Sequence, residues 1–286
     1  LPQALIDRLF DRISEVSSLP DVALRIIELA DDPTSEADDL LRAIRTDPAL
    51  AMRLMRTVNS SYYALEEKVA DLKQAITLLG LNEVRNLALT AYVAPLFRSS
   101  GQYRGYSRPG LWNHLVSVGL SARLIAETCG RVAPEEAYLS GLLHDVGLIL
   151  IDQHLSRPFR RVLDRVSEGI PLGEAERQVL GFEHADLGQF VAARWNLPER
   201  LSASIGLHHR ADQYAGPHRD MVSIVALANA FCHIKNVSSL GVRHVETPSV
   251  GLFTQLGLRK GEAASILKQL DQVLCAADAL ANAQIR

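Results

Sequence analysis

A run of apolar residues over positions 139–151 is interrupted by two adjacent ionisable side chains, His144 and Asp145, with Gly147 two residues further on. That interruption limits what the chain can fold into. An unpaired charge in apolar surroundings is costly, so Asp145 must meet a cation or strong donors. Neutral imidazole and carboxylate together suit zinc, iron or manganese. A purely local solution also exists, in which His144 caps a helix and Asp145 accepts backbone N–H bonds. Which solution holds depends on whether other ligand-type residues sit at workable places elsewhere.

The periodicity on either side is helical. Leu5, Leu9, Ile13 and Val16 recur at helical spacing, and Leu19-Pro20 breaks that helix. Ser35 with Asp38 three residues on resembles a capping box ahead of Leu40, Leu41 and Ile44. Asp47-Pro48 reads as an N-cap followed by proline at the first helical position, and Leu50, Leu54 and Val58 then form an apolar stripe. Asp71 caps a helix that Gly80 ends, and Asn82 starts the next. Residues 98–108, with Ser99, Ser100, Gly101, Gly105 and few aliphatics, read as a linker. The chain thus divides into an N-terminal helical subdomain, residues 1–100, and a larger helical domain, residues 108–286. In the second part, further helices begin near Leu111, Pro134, Val146, Phe159, Gly173, Ala185, Glu199 and Met221. Two more start at Thr247-Pro248 and Gly261. The whole predicts an all-α protein with short connections.

A net charge of −3 supplies no general electrostatic reason to bind nucleic acid. Cys129, Cys232 and Cys275 are odd in number and widely spaced, which fits a reducing compartment. Neither a membrane span nor a secretory signal is visible, so the expected location is cytoplasmic.

Nine histidines are present. His114 lies mid-helix among apolar neighbours. His184 opens an amphipathic segment, and His208-His209 closes a helix before a polar loop. His154, His218, His233 and His244 look less constrained. The informative feature is the order: a helical His, a His-Asp pair, a second helical His, a His-His pair, then an apolar helix carrying Asn229.

That order resembles the HD superfamily of all-α metal-dependent phosphohydrolases. More narrowly, the chain is similar to the HDOD family, the HD-related output domains of bacterial signalling proteins. The likeness runs through Leu19-Pro20, Asp47-Pro48-Ala49-Leu50, Val58-Asn59-Ser60-Ser61 and Ala75-Ile76-Thr77-Leu78-Leu79-Gly80. It continues through Trp112-Asn113-His114, Gly141-Leu142-Leu143-His144-Asp145-Val146-Gly147, Gly181-Phe182-Glu183-His184, Trp195-Asn196-Leu197-Pro198 and His208-His209. The resemblance implies an HD-superfamily helical domain preceded by an N-terminal helical subdomain. It also implies one metal held by His114, His144, Asp145 and a late acid. Here the late position is Asn229, whose amide oxygen has no formal charge and holds a cation less tightly. For binuclear relatives it implies a second metal on His184 and His208 or His209, with Asp145 shared. The implied cofactor is one or two divalent ions per chain, iron, manganese, zinc or magnesium. If the site is active, Asp145 bridges two cations that acidify a water and bind phosphoryl oxygens.

Three departures separate the chain from cyclic-dinucleotide phosphodiesterases of the HD-GYP kind. Leu148 stands where that family has lysine, Arg210 rather than an acid follows His208-His209, and the glycine-tyrosine-proline signature is missing. The expectation is a signalling module whose HD-type pocket binds metal, acting through a signalling protein partner or a nucleotide-type ligand. The alternative is an active phosphohydrolase on a nucleotide or cyclic dinucleotide. Glu183 and Asp186 are candidates to orient the imidazoles, or else helix-start acids. Arg157, Arg160, Arg161 and Arg165 read as a basic surface face, and Asn59-Ser60-Ser61 as capping and turn chemistry. His233, four residues after Asn229, could stand in for the missing acid.

Overall fold

Capping chemistry sets the first helix boundaries. The computed structural model describes residues 3–16, 21–31, 34–60, 62–63, 65–98, 101–241 and 248–285. Leu19-Pro20, Ser61, Ser99-Ser100, His244 and Thr247 lie outside the described residues. The chain begins with α1 (Gln3–Val16), α2 (Asp21–Asp31), α3 (Ala37–Arg45), α4 (Pro48–Val58), α5 (Leu72–Leu79) and α6 (Leu81–Val93). Asp47 accepts the Leu50 amide at 3.0 Å and Asp71 the Gln74 amide at 2.9 Å, both as N-caps. The box before α3 falls one residue later than its sequence pattern suggests. The Glu36 amide donates to Asp39 at 3.0 Å, and Asp39 also pairs with Arg42. Asn59 ties down the loop after α4, accepting the Val69 amide at 2.8 Å and donating to Val69 O at 3.0 Å.

The segment read as a linker is ordered as a hairpin. Strands β1 (Gln102–Tyr103) and β2 (Tyr106–Ser107) pair antiparallel across Arg104 and Gly105, whose φ values are 51° and 93°. Two left-handed residues in succession form the kind of two-residue turn that matches strand twist. Tyr106 anchors the hairpin: its ring is buried edge-on against Phe159, and its hydroxyl donates to Asp152 at 2.9 Å.

Among the described residues, ten further helices follow: α7 (Arg108–Cys129), α8 (Pro134–Leu143), α9 (Val146–His154), α10 (Ser156–Ser167), α11 (Leu172–Val179), α12 (His184–Arg194), α13 (Glu199–Leu207), α14 (Arg219–Ile234), α15 (Val250–Leu256) and α16 (Lys260–Ile285). A 3-10 stretch, His208–Gln213, directly continues α13. Among the described residues the fold is all-α apart from the short hairpin.

The residues group into two compact units. One is Leu19–Arg98 with Cys275–Arg286; the other is Leu1–Ser18 with Ser99–Leu274. The sequence division at residues 100–108 assigns both chain ends the other way. Contacts decide otherwise for α1, whose Phe10 meets Phe182 and Phe190 edge-on at 4.8 and 5.4 Å. In the first unit, Leu40 and Ile44 of α3, Leu50 and Leu54 of α4 and Val84 and Ala88 of α6 are buried. In the second, Val118 and Ile125 of α7, Leu227 and Phe231 of α14 and Ile266 and Leu270 of α16 share one core.

Two close approaches place the site within the second unit. A Cβ on Gly141 would stand 2.8 Å from the Val118 carbonyl oxygen, so α8 and α7 touch backbone to backbone. A Cβ on Gly147 would stand 2.0 Å from the His184 carbonyl oxygen. Only glycine permits α9 to meet the start of α12 this closely.

Candidate metal centre

The residues singled out in the sequence come from four places. His114 lies in the middle of α7, His144-Asp145 forms the break between α8 and α9, His184 opens α12, and His208-His209 follows α13. Around them, helix after helix turns an apolar face inward, so His114, His144, Asp145, His184 and His208 are all buried. His209 is the exposed member.

All of them converge on one carboxylate. Oδ2 of Asp145 faces Nε2 of His144 at 3.4 Å and of His114 at 3.8 Å. Oδ1 faces Nε2 of His184 at 3.1 Å and of His208 at 3.3 Å. His209 Nε2 lies 3.1 Å from His184 Nε2. The candidate ligand atoms form two groups, each within 4.8 Å: His114, His144 and Asp145; and Asp145, His184, His208 and His209. Two ligands bound to one ion at about 2.1 Å stand roughly 3.0–3.4 Å apart; the distances from Asp145 to His144, His184 and His208 fall in that range, and His114 at 3.8 Å stands outside it.

The far side of each ring explains why the Nε2 atoms point inward. His144 Nδ1–H donates to Gly141 O at 2.7 Å, and His114 Nδ1–H to Val237 O at 3.1 Å. His208 Nδ1–H donates to Ile205 O at 3.0 Å and Ser204 O at 3.2 Å. A carbonyl only accepts, so Nδ1 carries the proton and a neutral ring leaves Nε2 as a bare lone pair. His184 differs: its Nδ1–H donates to the Glu176 carboxylate at 2.8 Å. The local solution holds only in part. His144 does reach back to the end of α8, but Asp145 makes no side-chain cap to α9.

Burial disfavours charge at His114 and His208 and holds both below the ordinary histidine range. It also penalises charge at His184, yet the carboxylates of Glu176 and Asp145 more than offset this and raise its pKa well above the ordinary value. At Asp145, burial is outweighed by His144 and His184, and the carboxyl lies well below its usual range. A proton on His184 therefore answers Oδ1 but leaves lone pairs facing one another elsewhere. Nε2 of His114, His144 and His208 and Oδ1 of Asp145 and Asn229 are buried without a hydrogen-bond partner. With Oδ1 of Asp145 answered by a proton on His184, the other four atoms at about 1–3 kcal/mol each would cost on the order of 4–12 kcal/mol, comparable to a whole domain's stability. A cation among them removes that cost, so the residues fit a metal ion.

Asn229 is buried on α14 and lines a cavity of 440 Å³ together with Asp145, His208, His209 and His233. His233, one turn further along α14, stacks on His114 with ring centroids 5.3 Å apart, but its nitrogens belong to neither ligand group. His218 lies by Glu199 at 3.6 Å, and His154 ends α9; neither joins the cluster.

Glu183 and Asp186 do not orient an imidazole. They form the capping box of α12, the Glu183 amide donating to Asp186 at 2.9 Å, and their carboxylates pair with Arg177 and Arg210. The orienting acid is Glu176, which also accepts the His184 amide at 3.1 Å. It was legible as a break in pattern: Leu172, Ala175, Glu176 and Val179 share one face of α11, and a glutamate occupies that apolar stripe. The α10 arginines do not line the cavity; Arg160 lies over the Tyr103 ring and Arg165 pairs with Glu168.

A helical unit with a buried His/Asp cluster at a helix break is the architecture of HD-type domains. The sequence profile of the HDOD domain matches residues 16–211, and the chain belongs to the HDOD family. Among solved structures, an HDOD protein of unknown function from Geobacter sulfurreducens superposes with a TM-score of 0.80 at 29% identity, covering 92% of each chain. A candidate signal transduction protein from Marinobacter aquaeolei gives 0.84 at 24% identity, over 96% of this chain and 60% of that one. A candidate phosphohydrolase from Shewanella amazonensis gives 0.77 at 18% identity, over 97% and 98%, and shows the shared fold. An uncharacterised protein of Treponema pallidum is 27% identical over 221 residues; the match spans 77% of this chain and 42% of that relative's length. Among the described residues, no helix is long and apolar enough to cross a membrane.

Proposed function

We propose that this chain is an HDOD signalling module whose His/Asp pocket binds one or two transition-metal ions and relays that state to a signalling partner or in response to a nucleotide-type ligand. The observation that carries it is a full imidazole set around Asp145 beside an amide, Asn229, where the superfamily supplies an acid. Imidazole-rich coordination favours iron, manganese or zinc over magnesium, which prefers oxygen ligands. Asp145 serves both sides, one carboxylate oxygen to each. The Nδ1–H bonds hold the rings in place and keep their Nε2 lone pairs turned inward. Leu148 is fully buried, and as a leucine this position itself brings no ammonium group to the site. Among the described residues, the unit Leu19–Arg98 with Cys275–Arg286 supplies none of the cluster's ligand atoms, and we assign the relay to it.

Divalent cations in such a pocket would, when bound, acidify a water and neutralise phosphoryl oxygens. The cavity opens onto Asp145, His208 and His209, and this access supports the second reading, an active phosphohydrolase. Elemental analysis of freshly purified protein is expected to find about one or two transition-metal ions per chain. Protein that is metal-free and takes up no iron, manganese or zinc would refute the pocket. A panel of nucleotides and phosphodiesters, assayed with manganese or iron, separates the two readings. The module predicts no turnover in wild type, with Asn229→Asp tested for gain of activity. Wild-type turnover lost in Asp145→Ala would establish the enzyme.

A further inference from the structure

Among the described residues only two carboxylates are buried, Asp145 and Glu176, and both touch His184. Glu176 accepts two N–H groups from the same residue, the ring Nδ1–H at 2.8 Å and the backbone amide at 3.1 Å. One carboxylate thus fixes both the orientation of the imidazole and the position of the helix start that carries it. His114, His144 and His208 have only neutral carbonyls behind their rings. The Oδ1 side of Asp145 therefore has a second negative charge one imidazole away. The Oδ2 side has none, and the amide of Asn229 adds none. A carboxylate behind an imidazole increases its donation to a metal, and loss of such a partner typically costs about 10–100-fold in affinity.

We infer that Glu176 is a positioning residue that makes the Oδ1 side, with His184, His208 and His209, the tighter of two metal positions and the first to fill. The inference rests on the metal-pocket reading above and adds an order of loading to it. Glutamine has the same shape but carries no charge and one acceptor oxygen in place of two, so Glu176→Gln removes the negative charge behind His184 and weakens the acceptor its ring N–H meets.

The test is a calorimetric titration of the metal-free full chain with Zn²⁺, with bound zinc counted by elemental analysis. Wild type is expected to show two steps of different affinity. Glu176→Gln is expected to weaken the tighter step about 10–100-fold and leave the weaker one in place. An unchanged tight step, or a parallel fall in both, would overturn the inference. Should Glu176→Gln lack helical circular dichroism, the order is read from two ligand variants. His114→Ala retaining the tight step and His184→Ala losing it supports the inference; the reverse overturns it. Wild type that binds no zinc defeats the pocket reading itself, and the positioning role is then judged by NMR of ¹⁵N-histidine-labelled protein. An upfield move of the His184 Nδ1–H proton in Glu176→Gln supports that role, and an unmoved proton overturns it.

Discussion

The two sides of Asp145 are assembled differently. On the Oδ2 side, His114 and His144 come from α7 and the end of α8, two neighbouring helices whose backbones touch at Gly119 and Gly141. On the Oδ1 side, His184, His208 and His209 come from helix ends further along the chain, and they reach Asp145 because Gly147 lets α9 meet α12. The first side needs one helix pair in contact. The second needs a close crossing, a capping box at Glu183 and a buried acid behind His184. Negative charge follows the same division: the Glu176 carboxylate stands behind His184 on one side, and on the other His114 and His144 have backbone carbonyls behind their rings. A shared carboxylate can therefore serve two positions of unequal strength.

The largest effect should come from removing what both sides share. Asp145→Ala is expected to abolish bound metal, measured as ions per chain after dialysis; retention of one ion would mean that one side does not depend on Asp145. Next in size is Gly147→Ala, whose new methyl would collide with the His184 carbonyl. It should cost about 3 kcal/mol, the upper end for overpacking, read from urea unfolding of the metal-free protein. It should also weaken zinc binding at the Oδ1 side more than at the Oδ2 side. Equal weakening would mean that the crossing does not set the difference.

The smallest effect is a pH dependence of the metal-free fold. His114 and His208 have lowered pKa values, so the unfolded chain binds protons that the folded one does not. Their contribution is present above pH ~6.5 and is lost as pH falls toward their folded values. His184 has a raised value, so its contribution is complete below pH ~6.5 and is lost as pH rises through the folded value. Taking the protein from about pH 7.5 to about pH 5.5 thus sets the two kinds of ring against each other. His114→Ala should lose less stability on acidification than wild type, measured by urea midpoints. A greater loss would contradict a neutral His114.

Much of the helical layout and the ligand-type residues could be read directly. Asp47 and Asp71 cap the helices their spacing predicts, because a cap bond spans only three residues. Other features were hidden. The hairpin at residues 102–107 passed as a linker because its anchor, Tyr106 on Asp152, is made 46 positions away. Glu183 and Asp186 were nominated for nearness in sequence, whereas Glu176 holds His184 from eight residues upstream.

By itself the sequence determined where helices start and stop, that His144-Asp145 falls inside an apolar run, and which histidines were available, since these depend on neighbours within a turn or two. Only the tertiary structure decided which ring faces which oxygen of Asp145, which acid stands behind His184, and where α1 belongs. Those depend on backbones that approach to within a methyl group of each other, and that distance is set by packing between helices far apart in the chain.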